Sequence, residues 1–213
     1  MKIELVNYNK KIGKKKILCD INLKLASGNV YGFYGRNGSG KTMLFRAIST
    51  LIYPTSGDIK VDDVSIIHED FDLRTIGILL EDPGFYPYLT GLENLDLLYT
   101  INHKKDDEHI ISLMKKIGLE EYKDMKYKEY SLGMKQKLRI LQAIMENQQI
   151  ILLDEPTNAL DEKSIFIVRD IIKELKKEGK LILLASHNKE DLKILCDKIY
   201  NIEEGSIVGE IKL

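Results

Sequence analysis

Eight residues at positions 35 to 42 constrain the fold of this chain more than any other segment. They read Gly-Arg-Asn-Gly-Ser-Gly-Lys-Thr and fit the pattern G-x-x-x-x-G-K-[ST], which requires a strand before it and a helix after it. A strand-like run, Val30 to Tyr34, precedes the loop, and apolar residues from Met43 to Leu51 recur at helical spacing. The sequence therefore predicts a strand, a glycine-rich loop and a helix in succession.

This loop has the composition of a phosphate-binding site. Its glycines allow successive backbone N–H groups to turn inward on a polyphosphate, and the following helix directs its positive dipole end at the same charge. Lys41 supplies a mobile cation, and the Thr42 hydroxyl is placed to ligate a Mg²⁺ ion held by the phosphates. A glycine-rich turn without a ligand is the alternative, and the flanking strand and helix disfavour it. The candidate phosphate-binding residues are Gly35, Arg36, Asn37, Gly38, Ser39, Gly40, Lys41 and Thr42.

Two adjacent acids, Asp154 and Glu155, follow the apolar run Ile150 to Leu153 and precede Pro156. A run this apolar predicts a central strand, and ligands of open α/β sheets bind at the carboxyl ends of such strands. Because consecutive residues point in different directions, Asp154 can face the metal while Glu155 faces the water that attacks the γ-phosphate. An exposed Asp-Glu-Pro turn is the alternative interpretation. The acids are thus candidates for metal binding and for catalysis.

Composition excludes several classes of protein. The 213 residues carry 32 Lys and Arg against 33 Asp and Glu, so the basic excess of nucleic-acid-binding proteins is missing. Cys19 and Cys196 form no C-x-x-C pair, which argues against a disulfide framework or a zinc site and fits a reducing cytosol. The longest apolar runs are far below the ~20 residues that cross a bilayer, and the charged N-terminus does not resemble a signal peptide. We expect a cytoplasmic chain that spans no membrane and binds no nucleic acid.

The order of elements predicts an α/β fold. Strand-like runs, interrupted by five lysines between Lys10 and Lys16, fill the first 34 residues and indicate a hairpin with a solvated turn. Three amphipathic helices follow in the middle of the chain, and then strands and helices alternate, which predicts a parallel sheet covered by helices on both faces. The predicted helices are 90–101, 109–118, 132–146, 161–178 and 188–196, and the later strands are 150–153, 181–185, 199–202 and 207–211.

One segment of the middle region sets this chain apart from ordinary phosphate-loop proteins. It reads Tyr-Ser-Leu-Gly-Met-Lys-Gln at positions 130 to 136, where Ser131 is a good N-cap and offers a second anion site at the start of a helix. A serine that merely caps a helix is the alternative. Together with the phosphate loop and the run Ile151 to Thr157, the segment resembles the signature of the nucleotide-binding domain of ABC transporters, in the Y-S-x-G-M-x-Q form common in export-type subunits. The resemblance covers essentially the whole chain.

The resemblance implies a P-loop NTPase fold with a central, mainly parallel sheet, an N-terminal antiparallel β subdomain and an inserted helical subdomain. It implies one ABC ATPase domain, 1–213, in which 1–80 and 149–213 form a RecA-like core with the β subdomain and 81–148 form the helical signature subdomain. It also implies a second nucleotide-binding subunit, associated head to tail, so that each ATP lies between one phosphate loop and the partner's signature. The implied residues are Ser131, Leu132, Gly133 and Met134 of the signature, Asn158 and Asp161 of the D-loop, and the switch histidine His187, which contacts the γ-phosphate.

Two positions depart from the family pattern. Glu81 stands where a glutamine commonly links the nucleotide site to the helical subdomain; glutamate can still ligate Mg²⁺ through water, but it adds negative charge beside the triphosphate. Ile12 stands where an aromatic residue stacks on adenine, and losing a stack worth roughly 1–3 kcal/mol would weaken binding and relax the choice of base. Tyr8 is a candidate substitute. Contacts of Lys41, the phosphate loop and Mg²⁺ should therefore dominate nucleotide binding.

The sequence thus predicts the Mg²⁺-dependent, ATP-hydrolysing subunit of an export-type ABC transporter, with Lys41, Glu155 and His187 as catalytic residues. ATP binding would close the dimer, and attack of water on the γ-phosphate would reopen it. A separate membrane permease is implied, with the ATPase peripheral on the cytoplasmic face of the membrane. Alternatives are a soluble ABC-type ATPase, such as one for iron–sulfur assembly, and a nucleotide-gated binding protein without catalysis.

The sequence also predicts a docking groove for the permease. A plain core of the helical subdomain is the alternative interpretation of these residues. The groove contains Phe85, Tyr86, Tyr88, Leu92, Leu95 and Leu98.

Overall fold

The computed structural model describes residues 1–67, 72–80 and 83–213. The helices and strands predicted from position 90 onward are all confirmed, and their ends differ from the predicted ones by about two residues at most. The strands are β1 (Lys2–Ile12), β2 (Lys15–Ala26), β3 (Val30–Tyr34), β4 (Ser56–Val61), β5 (Val64–Ser65), β6 (Ile76–Leu79), β7 (Ile150–Asp154), β8 (Leu181–Ser186), β9 (Lys198–Glu203) and β10 (Ser206–Lys212). The α-helices are α1 (Lys41–Ile48), α2 (Gly91–Tyr99), α3 (Asp107–Lys116), α4 (Leu132–Ile144), α5 (Glu162–Lys177) and α6 (Lys189–Leu195).

A six-stranded sheet with the order β10-β9-β3-β8-β7-β6 lies at the centre of the molecule. The pairs from β9 to β6 are parallel, whereas β10 runs antiparallel to β9. Every residue of β8 is buried, because a parallel strand in this position is covered on both faces. The structure therefore confirms the predicted α/β fold with a mainly parallel sheet.

Alternate side chains of β7 point into two separate cores. Ile150 and Leu152 pack in the core that contains Leu44 of α1, and Ile151 and Leu153 pack on the opposite face of the sheet. The second core is closed by apolar residues of α4, α5 and α6. Helices on both faces thus explain why this strand is apolar throughout until it reaches its carboxyl end.

Three parallel strands end at the same edge of the sheet, and each leads into predicted site residues. The phosphate loop begins at Gly35 directly after β3, Asp154 is the last residue of β7, and His187 follows β8. Because β8 lies between β3 and β7, its end is flanked by the phosphate loop on one side and the acidic pair on the other. The topology therefore brings the three segments together.

The N-terminal strands form a separate antiparallel sheet in the order β2-β1-β4-β5, which confirms the predicted β subdomain. The lysine-rich segment makes the β1–β2 hairpin, with its turn at Gly13 and Lys14, as expected. The suggestion that Tyr8 substitutes for the adenine-stacking residue is wrong. Its ring is completely buried, and its hydroxyl donates a hydrogen bond to the Ile52 carbonyl oxygen at 3.1 Å.

Helices α2, α3 and α4 follow β6 and precede β7. The residues predicted to form a docking groove divide into two groups here. Phe85 and Leu95 are buried in the core beside α4, whereas Tyr86 and Tyr88 are 59% and 73% exposed. Leu92 and Leu98 are partly buried against the same core. In the parts of the chain that the structure describes, no helix combines the length and apolarity that a membrane span needs.

Candidate active site

The phosphate loop is held in an open turn that its glycines permit. Gly38 and Gly40 have φ angles of 80° and 113°, which residues with a Cβ rarely adopt. A Cβ on Gly40 would lie 3.1 Å from the Cα of Gly205, in the turn between β9 and β10. The Gly205 N–H also donates to the Ser39 carbonyl oxygen at 2.8 Å. The turn at Gly205 therefore supports the loop from behind, a contact that sequence reasoning missed.

Polar groups inside the loop fit a bound polyphosphate. The Lys41 side chain is buried at 6% exposure, and its ammonium donates to the carbonyl oxygens of Gly35 and Arg36 at 2.7 and 3.3 Å. The Ser39 hydroxyl is also buried and has no hydrogen-bond partner among the described residues. Gly40 is the N-cap of helix α1 and provides no side-chain cap, so the first N–H groups of the helix remain available to an anion. The loop thus combines a positioned cation with unused donors.

Thr42 and Asp154 bring two hard oxygen ligands together beside the loop. The Thr42 hydroxyl donates to a carboxylate oxygen of Asp154 at 2.5 Å. Burial raises the pKa of the Asp154 carboxyl, the Thr42 hydrogen bond opposes this rise, and the nearby charge of Glu155 adds to it. No cluster of three or more metal-ligating His, Cys, Asp or Glu side chains occurs in the described parts of the chain. This donor set fits Mg²⁺, which typically takes one or two protein ligands together with substrate phosphates.

Glu155 is fixed by backbone and side-chain contacts with the end of β8. Its N–H donates to the Ala185 carbonyl oxygen at 2.9 Å. One carboxylate oxygen accepts the His187 backbone N–H at 2.9 Å and lies 2.9 Å from Nδ1 of the same residue. The other oxygen accepts the Ser186 hydroxyl at 3.2 Å. The structure therefore brings the predicted Glu155 and His187 into direct contact.

A cavity of about 860 Å³ joins the phosphate loop to the acidic pair. Its walls also include part of β2 and the β9–β10 turn, neither of which was among the predicted site residues. Ile12 is not part of this lining and is 55% exposed at the end of β1, opposite Lys15 across the hairpin; its role stays a prediction. The cavity is lined by Lys15, Lys16, Ile17, Cys19, Asn37, Gly38, Gly40, Lys41, Thr42, Met43, Asp154, Glu155, Glu204 and Gly205.

The signature segment lies at the start of α4 and does not line this cavity. Ser131 is the N-cap, and its hydroxyl oxygen accepts the Met134 N–H at 3.2 Å, so the predicted cap is confirmed, while the second anion site stays a prediction. Leu132 is exposed, and a Cβ on Gly133 would lie 3.0 Å from the Ala159 carbonyl oxygen. The signature is therefore packed directly against the loop that follows Glu155.

The predicted D-loop residues stand on that same loop. Asn158 is exposed, and its backbone N–H donates to the Glu155 carbonyl oxygen at 3.2 Å. Asp161 is the N-cap of α5 and accepts the Ser164 N–H at 2.8 Å. Hydrogen bonds from the side chain and the backbone N–H of Ser164 hold the pKa of the Asp161 carboxyl below its usual value. Glu81, the remaining predicted site residue, lies outside the described residues.

The fold and the site define a class of protein: a nucleotide-binding P-loop ATPase with its loop, acidic pair and histidine on one edge of a parallel sheet. More narrowly, the chain belongs to the ABC transporter family, because the family model described as "ABC transporter" matches residues 18–158. It is an ATP-binding subunit of that family. The phosphate loop and the signature helix α4 fall within the matched range.

Individual relatives agree with this assignment. The ABC transporter ATP-binding protein YybJ of Bacillus subtilis is 41% identical over 206 residues, which cover 96% of this chain and 94% of that protein. The bacitracin transport ATP-binding protein BcrA of Enterococcus faecalis is 34% identical, with 99% of this chain and 69% of that protein covered. The lantibiotic transport ATP-binding protein SrtF of Streptococcus pyogenes is 34% identical, with 98% and 90% covered.

Solved structures of ABC cassettes have the same fold. The dimeric structure of the ABC transporter cassette MJ0796 aligns with a TM-score of 0.90 at 28% identity and covers 99% of this chain and 98% of that one. A dimeric structure of MJ0796 in a post-hydrolysis state, bound to ADP and phosphate, also aligns with a TM-score of 0.90, at 27% identity and with the same coverage. These comparisons support ATP binding and hydrolysis as the activity of the family.

Proposed function

We propose that this chain is the Mg²⁺-dependent ATPase subunit of an export-type ABC transporter. The observation that carries the proposal is the contact of Glu155 with His187 and Ser186 beside the cavity that holds Lys41 and Thr42. A chain that only bound nucleotide would not need a carboxylate oriented in this way. The relatives named for bacitracin and lantibiotic transport support a role in transport, and the export-type form of the signature at positions 130 to 136 supports export as the direction.

Each residue of the site has a proposed role in hydrolysis. Lys41 and the backbone N–H groups of the loop bind the β- and γ-phosphates, and Thr42 and Asp154 would hold Mg²⁺, which would supply charge neutralisation at the phosphates. Glu155 orients the attacking water and accepts its proton. His187 contacts the γ-phosphate while its Nδ1 atom stays beside Glu155. In these roles Glu155 and His187 both act at the γ-phosphate, Glu155 through the attacking water and His187 by direct contact.

A second nucleotide-binding subunit completes each site in this proposal. Ser131 to Met134 lie outside the chain's own cavity, and Ser131 is exposed, so the segment is free to contact a nucleotide held by a partner. Asn158 and Asp161 shape the same interface through the loop that packs on α4. The second subunit would be either another copy of this chain or a paralogue, and the dimeric structure of the similar MJ0796 cassette supports the formation of a dimer.

The remaining predictions extend this proposal to the membrane. Tyr86 and Tyr88 are the exposed aromatic members of the predicted docking groove, so we propose that they contact an integral-membrane permease. The ATPase would then be peripheral on the cytoplasmic face of the membrane.

The two positions that depart from the family pattern also have proposed roles. Glu81, ahead of these tyrosines in the sequence, would act as a water-mediated Mg²⁺ ligand and nucleotide sensor, and Ile12 would border the base of the nucleotide. The division into a core, 1–80 and 149–213, and a helical subdomain, 81–148, belongs to the same proposal.

Substitution of Glu155 by glutamine tests the catalytic assignment. The amide keeps the size of the side chain but cannot accept a proton, so we expect ATP binding to persist and turnover to fall about 100-fold or more. The variant should also accumulate as an ATP-bound dimer, which size-exclusion chromatography with light scattering can measure. Glu204→Gln is a matched control, because Glu204 lines the same cavity from the β9–β10 turn. Brisk hydrolysis by Glu155→Gln would refute the role given to Glu155.

A further inference from the structure

A buried glutamine joins the signature helix to the loop that carries Glu155. Gln136 is 8% exposed, and its Nε2 atom donates to the carbonyl oxygens of Glu155 and Pro156 at 3.2 and 3.3 Å. It stands five residues after Ser131 on the same helix, α4. The side chain therefore spans from the helix that begins at the signature to the backbone beside the proposed catalytic carboxylate.

The backbone of Glu155 needs external support, because its φ angle is 50°. Residues with a Cβ disfavour this left-handed conformation, so neighbouring contacts must stabilise it. On one side the Glu155 N–H is held by the Ala185 carbonyl oxygen of β8, and on the other side its carbonyl oxygen accepts the Gln136 amide. The conformation that presents the carboxylate to His187 is thus fixed between the sheet and α4.

The contacts of Gln136 differ from those of the other buried glutamine in the described chain, Gln148. The Gln148 side chain accepts a hydrogen bond from the Glu146 N–H, which is only two residues away. Gln136 instead reaches a loop about twenty residues further along the chain. The close approach of Gly133 to the Ala159 carbonyl oxygen provides a second contact between the same helix and the same loop.

We propose that Gln136 is a positioning residue that makes the signature and the catalytic carboxylate of one chain move as a unit. The inference rests on the proposed function, in which the signature contacts the partner's nucleotide while Glu155 acts on the chain's own. Engagement of the signature at one ATP site would then be transmitted through Gln136 to the carboxylate at the other site. The two sites of the dimer are coupled through this side chain, in addition to any contact across the interface.

The variant Gln136→Met tests this inference, because methionine has a similar length and removes the amide donor. We expect the turnover number to fall about 10- to 100-fold, as for a catalytic group that is no longer held in place. ATP affinity should stay within about twofold, since Gln136 does not touch the phosphate loop, and the Hill coefficient for ATP should fall towards one. Gln142→Met, a partly exposed glutamine six residues further along α4, is the matched control and should leave all of these values unchanged.

A second variant and a second measurement cover the case in which Gln136→Met folds poorly. Gln136→Glu keeps the shape of the side chain, has no donor when ionised, and should show the same loss of turnover with unchanged ATP affinity. In either variant, amide hydrogen exchange of residues 155–161 should become faster, whether or not the protein hydrolyses ATP. Unchanged exchange, or turnover within about twofold of the wild type, would overturn the inference.

Failure of the inference is distinguishable from failure of the proposed function. If the wild type hydrolyses ATP and Glu155→Gln does not, but Gln136→Met behaves as the wild type, the coupling role alone is wrong. If Gln136→Met in the Glu155→Gln background no longer forms the ATP-bound dimer, Gln136 merely maintains α4, which also overturns the coupling role. If Glu155→Gln hydrolyses ATP as well as the wild type, the catalytic assignment fails, and the inference that depends on it fails too.

Discussion

The phosphate loop and the signature segment are both proposed anion sites at the start of a helix, yet only the first is enclosed by residues of this chain. In the loop, Lys41 is buried, Gly40 has a left-handed conformation, and Gly205 supports the turn from behind. In the signature, Ser131 is exposed, and Leu132 beside it is 66% exposed. The phosphate loop is thus enclosed by residues of the same chain, whereas the signature segment is exposed on the surface.

The hydrogen bonds of the two segments show the same difference. The Lys41 ammonium already lies on the loop carbonyls, so its position does not depend on a partner. The Ser131 hydroxyl oxygen accepts a capping bond from the Met134 N–H and keeps its own O–H to donate. No acceptor for this O–H occurs among the described residues, so the group is open to solvent or to a ligand. Loss of the loop should therefore affect an isolated subunit, whereas loss of the signature should affect only an assembly.

The largest expected effect comes from substitutions that separate the two segments. Lys41→Ala removes a positioned charge, so we expect ATP binding by the monomer to weaken about 10- to 100-fold, which isothermal titration calorimetry can measure. Ser131→Arg places a bulky cation on the signature surface, so monomer binding should be unchanged while dimerisation and hydrolysis are lost. Weakened monomer binding in Ser131→Arg would contradict the separation.

Mixing the two variants provides the control. A mixed dimer has one site formed by an intact loop from the Ser131→Arg subunit and an intact signature from the Lys41→Ala subunit. Because about half of the dimers are mixed and one of their two sites is intact, an equal mixture should regain at most about a quarter of the wild-type rate. If no mixing ratio restores hydrolysis, composite sites of this kind are wrong for this chain.

A smaller effect is expected at a largely buried ion pair that contacts the loop after Glu155. The Arg169 guanidinium of α5 bonds to the carboxylate of Asp191, a buried residue of α6, and Asp191 also accepts the Thr157 hydroxyl at 3.1 Å. Arg169→Met leaves this carboxylate without its cation, so the free energy of unfolding in urea should fall by about 3 kcal/mol. The double variant with Asp191→Leu should recover most of the loss.

An exposed ion pair on α5 is the matched control for that measurement. Lys173 and Asp170 lie 3.8 Å apart on the surface of the same helix. Lys173→Met should change the free energy of unfolding by less than about 0.5 kcal/mol, because exposed pairs contribute little. Equal losses of unfolding free energy in Arg169→Met and Lys173→Met would show that burial does not make the Arg169–Asp191 pair more important for stability than an exposed pair.

The sequence predicted the parts of this site that depend on local pattern. The phosphate loop and the Asp154–Glu155 pair were found because glycines, a lysine and acids follow strands whose apolar runs are visible in the sequence. Sequence reasoning missed the support from Gly205 and the bond from Gln136 to Glu155, because both depend on how distant elements pack. Neither residue carries a local signal of its partner.

The mistaken suggestion about Tyr8 has a similar cause. A regular strand would place alternate residues on opposite faces, but β1 is irregular on both sides of Tyr8, and Asn7 has a φ angle of 46°. The irregularity turns the ring into the core, where it bonds to the Ile52 carbonyl oxygen. The direction of a side chain near such a bulge depends on how the strand pairs with its neighbours. The alternation of residues in the sequence therefore could not predict the direction of the Tyr8 ring.

The smallest expected effect concerns the two cysteines, of which Cys19 lies in the wall of the loop cavity and Cys196 does not. Cys19 is partly exposed and lines the cavity, whereas burial raises the pKa of the Cys196 thiol to about 12. Because the thiolate is the reactive form, iodoacetamide at pH 8 should label Cys19 and leave Cys196 unmodified, as peptide mass spectrometry can measure. MgATP at ten times its dissociation constant should slow labelling of Cys19 about tenfold by occupying the cavity. The same nucleotide concentration should give much less protection in Lys41→Ala, and equal labelling of the wild type with and without MgATP would show that the nucleotide lies elsewhere.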